Sequence, residues 1–494
     1  MGLIQRHGIS SGIFIYMGII IGFVNVTFLF PNIAGNEVFG FTRSFDEFAA
    51  LFLLLGGFGT GVLSVKFFPH FRDKSQQHHG FLGFLFLLRT IGLVIAILAI
   101  YGVKQWVLNS VQVDNTRFFI QKYYYLLPLT IALATYTELL ESYHIGLLRP
   151  RVSVFFREIG IRLTNTVLIG CLYFGWIDHH QFILLFSIRF IVALLGLLVF
   201  TIYMREWHWA SGWDIFKKPI FKKMANYSFF SILSSLGSRI SGKIDILMIT
   251  SFLGLDAVAV YAVMSYVARV IQVPHEGISK IVSPLFAESW AHQDMAKIKE
   301  LYKRTALNNF AIGLLIFIGI IANIQHFFAL QKPIYAQYFP VFFFLGIAQL
   351  VNIINGYNGA LINFSPKYQF DLISKALTAI IAIITNYYLI NRYGLNGAAA
   401  ATAMTLILVN LFIQGFIYWH FKLLPFSKNM LIVMMVGALT YWIQTILPAS
   451  FGYWIFDLLL RSSILTFIYF SLLLSLRIVP DISDAFRTIM KKIF

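Results

Sequence analysis

Apolar runs long enough to cross about 30 Å of hydrocarbon follow one another from end to end of this 494-residue chain. Hydrophobic side chains make up 59% of it and charged ones only 12%, too few polar groups to clothe a water-soluble surface. In lipid every backbone N–H and C=O must be satisfied within the chain, so a span is either a helix or a strand of a closed barrel. Barrel strands alternate polar and apolar residues over about ten positions; these runs are longer and continuous. The expected fold class is an all-α polytopic membrane protein. The first run, Ile9 to Phe30, is too long for the core of a signal peptide and shows no small-residue cleavage site, so it is read as a spanning helix.

Hydropathy places about fourteen spans, at 9–30, 46–68, 81–103, 122–145, 154–177, 181–204, 225–252, 257–285, 305–328, 338–362, 368–391, 396–420, 430–448 and 455–477. Lys and Arg set the orientation. Alternate connections hold Lys66, Arg72 and Lys74; Arg149 and Arg151; Arg205, Lys217, Lys218, Lys222 and Lys223; and Lys297, Lys299, Lys303 and Arg304, whereas the others hold little beyond Arg43, Lys104, Arg117, Lys122, Lys332 and Arg392. The asymmetry expects both termini in the cytoplasm. The net charge of +17 therefore follows topology and does not point to nucleic acid. Cys171 is the only cysteine, which excludes an intramolecular disulfide. The connection Asp294 to Arg304 reads as a short basic amphipathic helix at the inner surface.

The chain repeats itself. Gly35-Asn36-Glu37 after the first span resembles Gly254-Leu255-Asp256 after the seventh, which lays Gly57 on Gly277. Pro128 answers Pro340, and Arg149-Pro150 answers Ser365-Pro366. An even number of spans separates the copies, so both point the same way across the bilayer. Two pseudo-symmetric six-helix lobes are expected, 1–204 and 225–421, joined by a cytoplasmic linker at 205–224, with two further helices and a cytoplasmic tail at 422–494. Transporters are commonly built from such repeats.

Arg239 and Lys243 lie inside the seventh apolar run. A cation at bilayer depth costs about 2.5–3.5 kcal/mol, so it faces water, a counter-ion or an anionic ligand. Ser228, Ser231, Ser234, Ser235, Ser238, Gly242 and Asp245 form a stripe beside them; a stripe that polar does not face lipid. In the eighth span Ser265, Arg269, Gln272, Glu276, Lys280 and Ser283 share one face, and Pro274 interrupts the helix. The matching part of span two has Gly56, Gly57, Gly59 and Gly61. Irregular helices at corresponding places of two halves point to a transport site. Glu276 and Lys280 could also form an i, i+4 pair; the cavity-lining reading is preferred because Arg269 is then left without an acid. Arg239, Lys243, Arg269 and Lys280 are the candidate anion-binding cations, with Arg89, Arg189 and Gln272 as further cavity candidates. Glu276 and Asp245 are the candidates for ion coupling, by H⁺ or Na⁺. Glu138, Glu141 and His144 are expected to meet Arg157 and Arg162; Asp371–Lys375 and Asp457–Arg461 are expected as helix pairs; Asp46 and Glu47 are read as an interface feature. His78-His79 and His179-His180 have no acidic or cysteine cluster beside them, so neither a metal nor another cofactor is expected. No nucleophile elbow, phosphate loop or carboxylate pair is visible, and no connection is long enough for a catalytic domain: the expectation is a transporter, not an enzyme.

The stretches Ile244-Asp-Ile-Leu-Met-Ile-Thr-Ser-Phe-Leu-Gly-Leu-Asp-Ala-Val-Ala-Val-Tyr261, Val282-Ser-Pro-Leu-Phe-Ala-Glu288 and Tyr393-Gly-Leu-Asn-Gly-Ala-Ala-Ala-Ala-Thr402 resemble the polysaccharide-transport branch of the MOP flippase superfamily. The resemblance implies a V-shaped, two-lobed transporter of the MATE-like kind that alternates access. It also implies a bacterial inner-membrane location, a Wzx-type cargo, such as an O-antigen oligosaccharide on undecaprenyl pyrophosphate, and a cavity lined by spans 1, 2, 7 and 8. Its expected partners are that lipid-linked substrate, the membrane lipids and other polysaccharide-assembly proteins, with the chain itself a monomer. Tyr261, Tyr266 and Tyr357 are candidates to stack on sugar rings, and spans 13 and 14 to flank the polyprenyl tail. The alternatives are a multidrug or metabolite exporter of the same superfamily, a lipid II flippase, or a membrane-embedded polymerase or ligase.

Overall fold

The computed structural model describes residues 3–73, 77–207, 213–446, 454–476 and 478–479, without the side chains of 3–11, Leu233, Ser234, Ser238 and Ser241. Among the described residues all regular structure is helical. In chain order the α-helices are α1 Leu3–Val24, α2 Asn36–Gly57, α3 Thr60–Lys66, α4 Phe81–Ser110, α5 Asp114–Tyr123, α6 Leu126–Gly146, α7 Pro150–Phe155, α8 Ile161–Tyr173, α9 His179–Ser187, α10 Phe190–Tyr203, α11 Asp214–Lys217 and α12 Ile220–Phe252. They continue with α13 Leu255–Arg269, α14 Val273–Ala291, α15 Met295–Ala329, α16 Phe339–Ile354, α17 Asn358–Phe364, α18 Phe370–Phe421, α19 Lys428–Ile446 and α20 Trp454–Ser475.

By length and composition nine described helices can cross a membrane, or ten if the bent pair α2–α3 is one span. Each of the fourteen expected segments falls on helical structure, but that measure does not reach their number. It leaves out α6, the α7–α8 segment and α12, which carry charged side chains discussed below, and it takes α18 as one helix. α18 is in fact a hairpin. Gly394 adopts φ +58°, ψ −134° in its middle, and the hydroxyls of Thr385 and Thr405 hydrogen-bond at 2.8 Å. In a straight helix those residues would stand about 30 Å apart.

The chain forms two compact units, Met1–Val263 and Met264–Phe494. In the first, α2 is the central helix, packed against α4, α6 and α12. In the second, α15 is central, flanked by α14, α16, α19 and α20, with α16 on α18. The boundary differs from the repeat-based division at 205–224: because α12 lies along α2, compactness groups it with the first unit. The expected short surface helix at Asp294–Arg304 is the start of α15, capped by Asp294, whose carboxylate accepts from the Lys297 amide at 2.9 Å. Ile298 and Tyr302 bury its inner face.

Candidate functional site at the broken second span

The second span breaks where its glycines cluster. Phe58 and Gly59 take left-handed φ values of 45° and 70°, and α2 and α3 meet at 54°. Gly59 has two reasons to be glycine: its positive φ, and the approach of α12, since a Cβ there would lie 2.7 Å from the Ser228 hydroxyl. The corresponding part of the eighth span is also irregular. A 3₁₀ turn at Val270–Gln272 separates α13 from α14, and Pro274 sits in the first turn of α14, where its missing N–H costs nothing.

The break in the first unit opens a cleft of about 130 Å³ lined by Leu53, Gly57, Arg89, Glu138, Ser231, Ser235 and Arg239, among others. Arg89, on α4, is 2% exposed. Its Nε donates to Thr60 Oγ1 at 2.5 Å, its Nη1 donates to the Thr135 carbonyl at 2.7 Å, and the same nitrogen stands 3.5 Å from Glu138 Oε2. Arg239, on α12, approaches the other oxygen of Glu138 at 3.9 Å and donates to the Ala50 carbonyl at 3.3 Å. Two guanidiniums thus share one carboxylate, and a positive charge is left over. Arg89 is clamped; Arg239, 37% exposed, is held at longer distances. One helical turn on, Lys243 donates to Glu47 on α2 at 2.7 Å.

These contacts correct several expectations. Glu138 meets Arg89 and Arg239, not Arg157 and Arg162; both of those pair with Glu158, at 3.1 and 2.7 Å, while Arg157 is also the cation that acts most strongly on the buried Glu141, as expected. His144 bonds to the Thr201 hydroxyl at 2.8 Å. Arg189 does not line the cleft: it is buried, paired with Asp46 at 2.6 Å, with Phe186 stacked 3.8 Å from its guanidinium carbon. Asp46 and Glu47 are therefore counter-ions, not an interface feature. Asp245 accepts from Tyr261 at 2.7 Å and from the Ile246 amide at 2.8 Å. Tyr261 is buried in that contact, and Tyr357 is buried and stacked on His275 at 4.3 Å, so neither presents a free face to a sugar. Ser231 and Ser235 line the cleft; the side chains of Ser234 and Ser238 lie outside the described residues.

In the second unit Arg269 does have an acid: Glu276 lies 3.4 Å away, an exposed and long contact that replaces the Glu276–Lys280 pair. Lys280 is exposed and makes no ion pair among the described residues; Gln272 is half-buried at the end of the 3₁₀ turn. Asp371–Lys375 and Asp457–Arg461 pair as expected, at 2.5 and 3.4 Å, and His326 joins Asp457 at 2.6 Å. Sequence reasoning missed Glu138 as the acid of the cleft; the only available signal was an acid in span 4 with arginines in more than one other span.

Many apolar helices, with cations gathered at a broken one, make this a polytopic membrane protein among whose described residues no other regular structure occurs, and its fold is found in solved membrane proteins. The structure titled "Lipid II flippase MurJ, inward closed conformation" superposes with a TM-score of 0.72 over 95% of this chain and 99% of that one, at 14% identity. An inward-facing multidrug resistance MATE family transporter of the MOP superfamily gives 0.59 over 91% and 97%, at 12% identity. The MATE multidrug transporter DinF-BH, in complex with R6G, gives 0.54 over 86% and 97%, at 18% identity. At such identities the likeness establishes the fold. No curated protein sequence matches. The chain belongs to the family described as polysaccharide biosynthesis protein, whose model matches residues 5–290.

Proposed function

We propose that this protein is a flippase for an anionic undecaprenyl-pyrophosphate-linked oligosaccharide, working by alternating access in the bacterial inner membrane with both termini in the cytoplasm. The observation that carries the reading is the cleft at the α2–α3 break, where Arg89 and Arg239 share Glu138 and leave positive charge within the span. A pyrophosphate leaving the headgroup region needs that charge, and a guanidinium offers it paired donors. Arg239 is the receiving cation, with Lys243 one turn away and the Ser231 and Ser235 hydroxyls as supplementary donors. Arg269 and Lys280, exposed on the irregular eighth span, are a second set of anion contacts. Membership in a polysaccharide-biosynthesis family supports the glycan as cargo. A cleft with surplus positive charge disfavours cationic drugs. Asp245 already receives two hydrogen bonds, so Glu276 is the better-placed acid for H⁺ or Na⁺ coupling.

The test is complementation and transport together. The intact chain should restore surface polysaccharide to a strain deleted for its gene and move a labelled lipid-linked oligosaccharide across proteoliposomes. Efflux of cationic dyes without glycan movement would overturn the reading in favour of an exporter; rescue of a lysing strain depleted of lipid II transport would redirect it to that substrate.

A further inference from the structure

We infer that Glu138 is a displaceable counter-ion, a positioning residue that holds Arg239 while the cleft is empty and gives it up to the substrate's diphosphate. The inference rests on the proposed anion cargo and goes beyond it by assigning the residue that tunes its capture and release.

The two arginines are not equivalent. Arg89 is enclosed, with Thr60, the Thr135 carbonyl and Glu138 all within reach, so it has no freedom to turn toward a ligand. It fixes Glu138 from one side. Arg239 takes the other carboxylate oxygen at 3.9 Å, beyond a good charge-assisted hydrogen bond, and its remaining contact, to the Ala50 carbonyl, is a long one. Both Glu138 and Arg239 are about one-third exposed, each at 37%, so the half of the pair that faces the cleft can exchange partners. Ser231 and Ser235 precede Arg239 on α12 at four-residue steps and line the same cleft. An incoming diphosphate competes with one loosely held carboxylate for one guanidinium, while Arg89 keeps Glu138 from following. When the anion leaves, Glu138 takes Arg239 back, so the cation is never stranded at membrane depth and release is not blocked by an over-strong site.

The full-length protein in detergent, titrated with inorganic pyrophosphate and separately with farnesyl pyrophosphate, tests this by calorimetry. Glu138→Gln removes the competitor and should tighten binding about five-fold, the scale of a half-exposed ion pair, while slowing transport of lipid-linked oligosaccharide in proteoliposomes. A merely structural role would weaken both. Arg239→Ala should weaken binding, and Glu138→Gln added to Arg239→Ala should bring no tightening. Tightening with both ligands assigns recognition to the diphosphate; tightening with farnesyl pyrophosphate alone supports displacement with the lipid tail required. If Glu138→Gln does not fold, Glu138→Asp, whose shorter side chain withdraws from Arg239, should also bind more tightly. Binding by the parent protein that Arg239→Ala weakens but neither Glu138 variant strengthens overturns the inference and leaves the proposed cargo standing. A parent protein that binds neither probe removes both.

Discussion

Lys243 donates to Glu47 at 2.7 Å, tying α12 to α2 one helical turn along α12 from Arg239 of the cleft. The two ends of this pair are unequal: Glu47 is 12% exposed and Lys243 42%. Removing the lysine takes from a largely buried carboxylate its hydrogen-bonded cation, leaving only the weaker influence of Arg43, whereas removing the carboxylate leaves a flexible ammonium that can turn toward water. Lys243→Ala should therefore cost about 2 kcal/mol of stability, below the 3–5 typical of a fully buried pair, and Glu47→Gln less. Thermal unfolding in detergent checks the order; equal or reversed costs would show that the pair is solvated.

The break in the second span depends on one glycine more than on its neighbours. Gly59 combines φ +70° with the Ser228 backbone 3.0 Å from where a Cβ would sit, whereas Gly61 has open space around that point. Gly59→Ala should cost about 1–2 kcal/mol in backbone strain alone and depress transport by displacing α12, and Gly61→Ala should be near neutral. Parallel transport and unfolding measurements on the two variants decide this; similar effects at both sites would mean that the bend does not govern the cleft.

Asp457 holds α20, the last described helix of the second unit, to its central one. It is fully buried and faces both Arg461 and His326, the latter on α15. Asp457→Asn should destabilise the protein by about 3–5 kcal/mol, the cost of breaking a buried charge pair. Asp371→Asn, in a partly exposed i, i+4 pair, should cost about 0.5 kcal/mol or less. Melting temperatures of the two variants within a degree of one another would contradict the difference in burial.

Much of the architecture is legible in the sequence because its causes are local. Continuous apolar runs fix the helical class, the glycines at 56–61 and Pro274 mark where spans two and eight lose regularity, and Tyr393-Gly394 marks the turn between two spans that form one hairpin. Of the polar stripe on α12, Ser231 and Ser235 line the cleft, whereas Ser228 packs against Gly59 and Asp245 accepts from Tyr261. What the sequence does not show is which acid each cation meets. Glu138 is nearer in sequence to Arg157 and Arg162 than to Arg239, yet it is the packing of α4, α6 and α12 around α2 that brings the charges together. Arg189 is a cavity candidate only until Asp46, on a distant helix, is seen beside it. Tyr261 and Tyr357 look like sugar platforms until their hydroxyls are found donating to Asp245 and to the His275 carbonyl.

The most direct measurement is the rate at which reconstituted protein moves lipid-linked oligosaccharide across a proteoliposome membrane, compared between the parent chain and Arg239→Ala. Arg239 sits in a half-exposed cleft and its loss removes no buried partner's sole contact, since Glu138 keeps Arg89. The variant should stay folded and monodisperse while transport falls at least ten-fold, the loss of one charge-assisted contact of about 1.4 kcal/mol or more. Undiminished transport by folded Arg239→Ala would contradict the assignment of this cleft as the site where the anionic cargo is held.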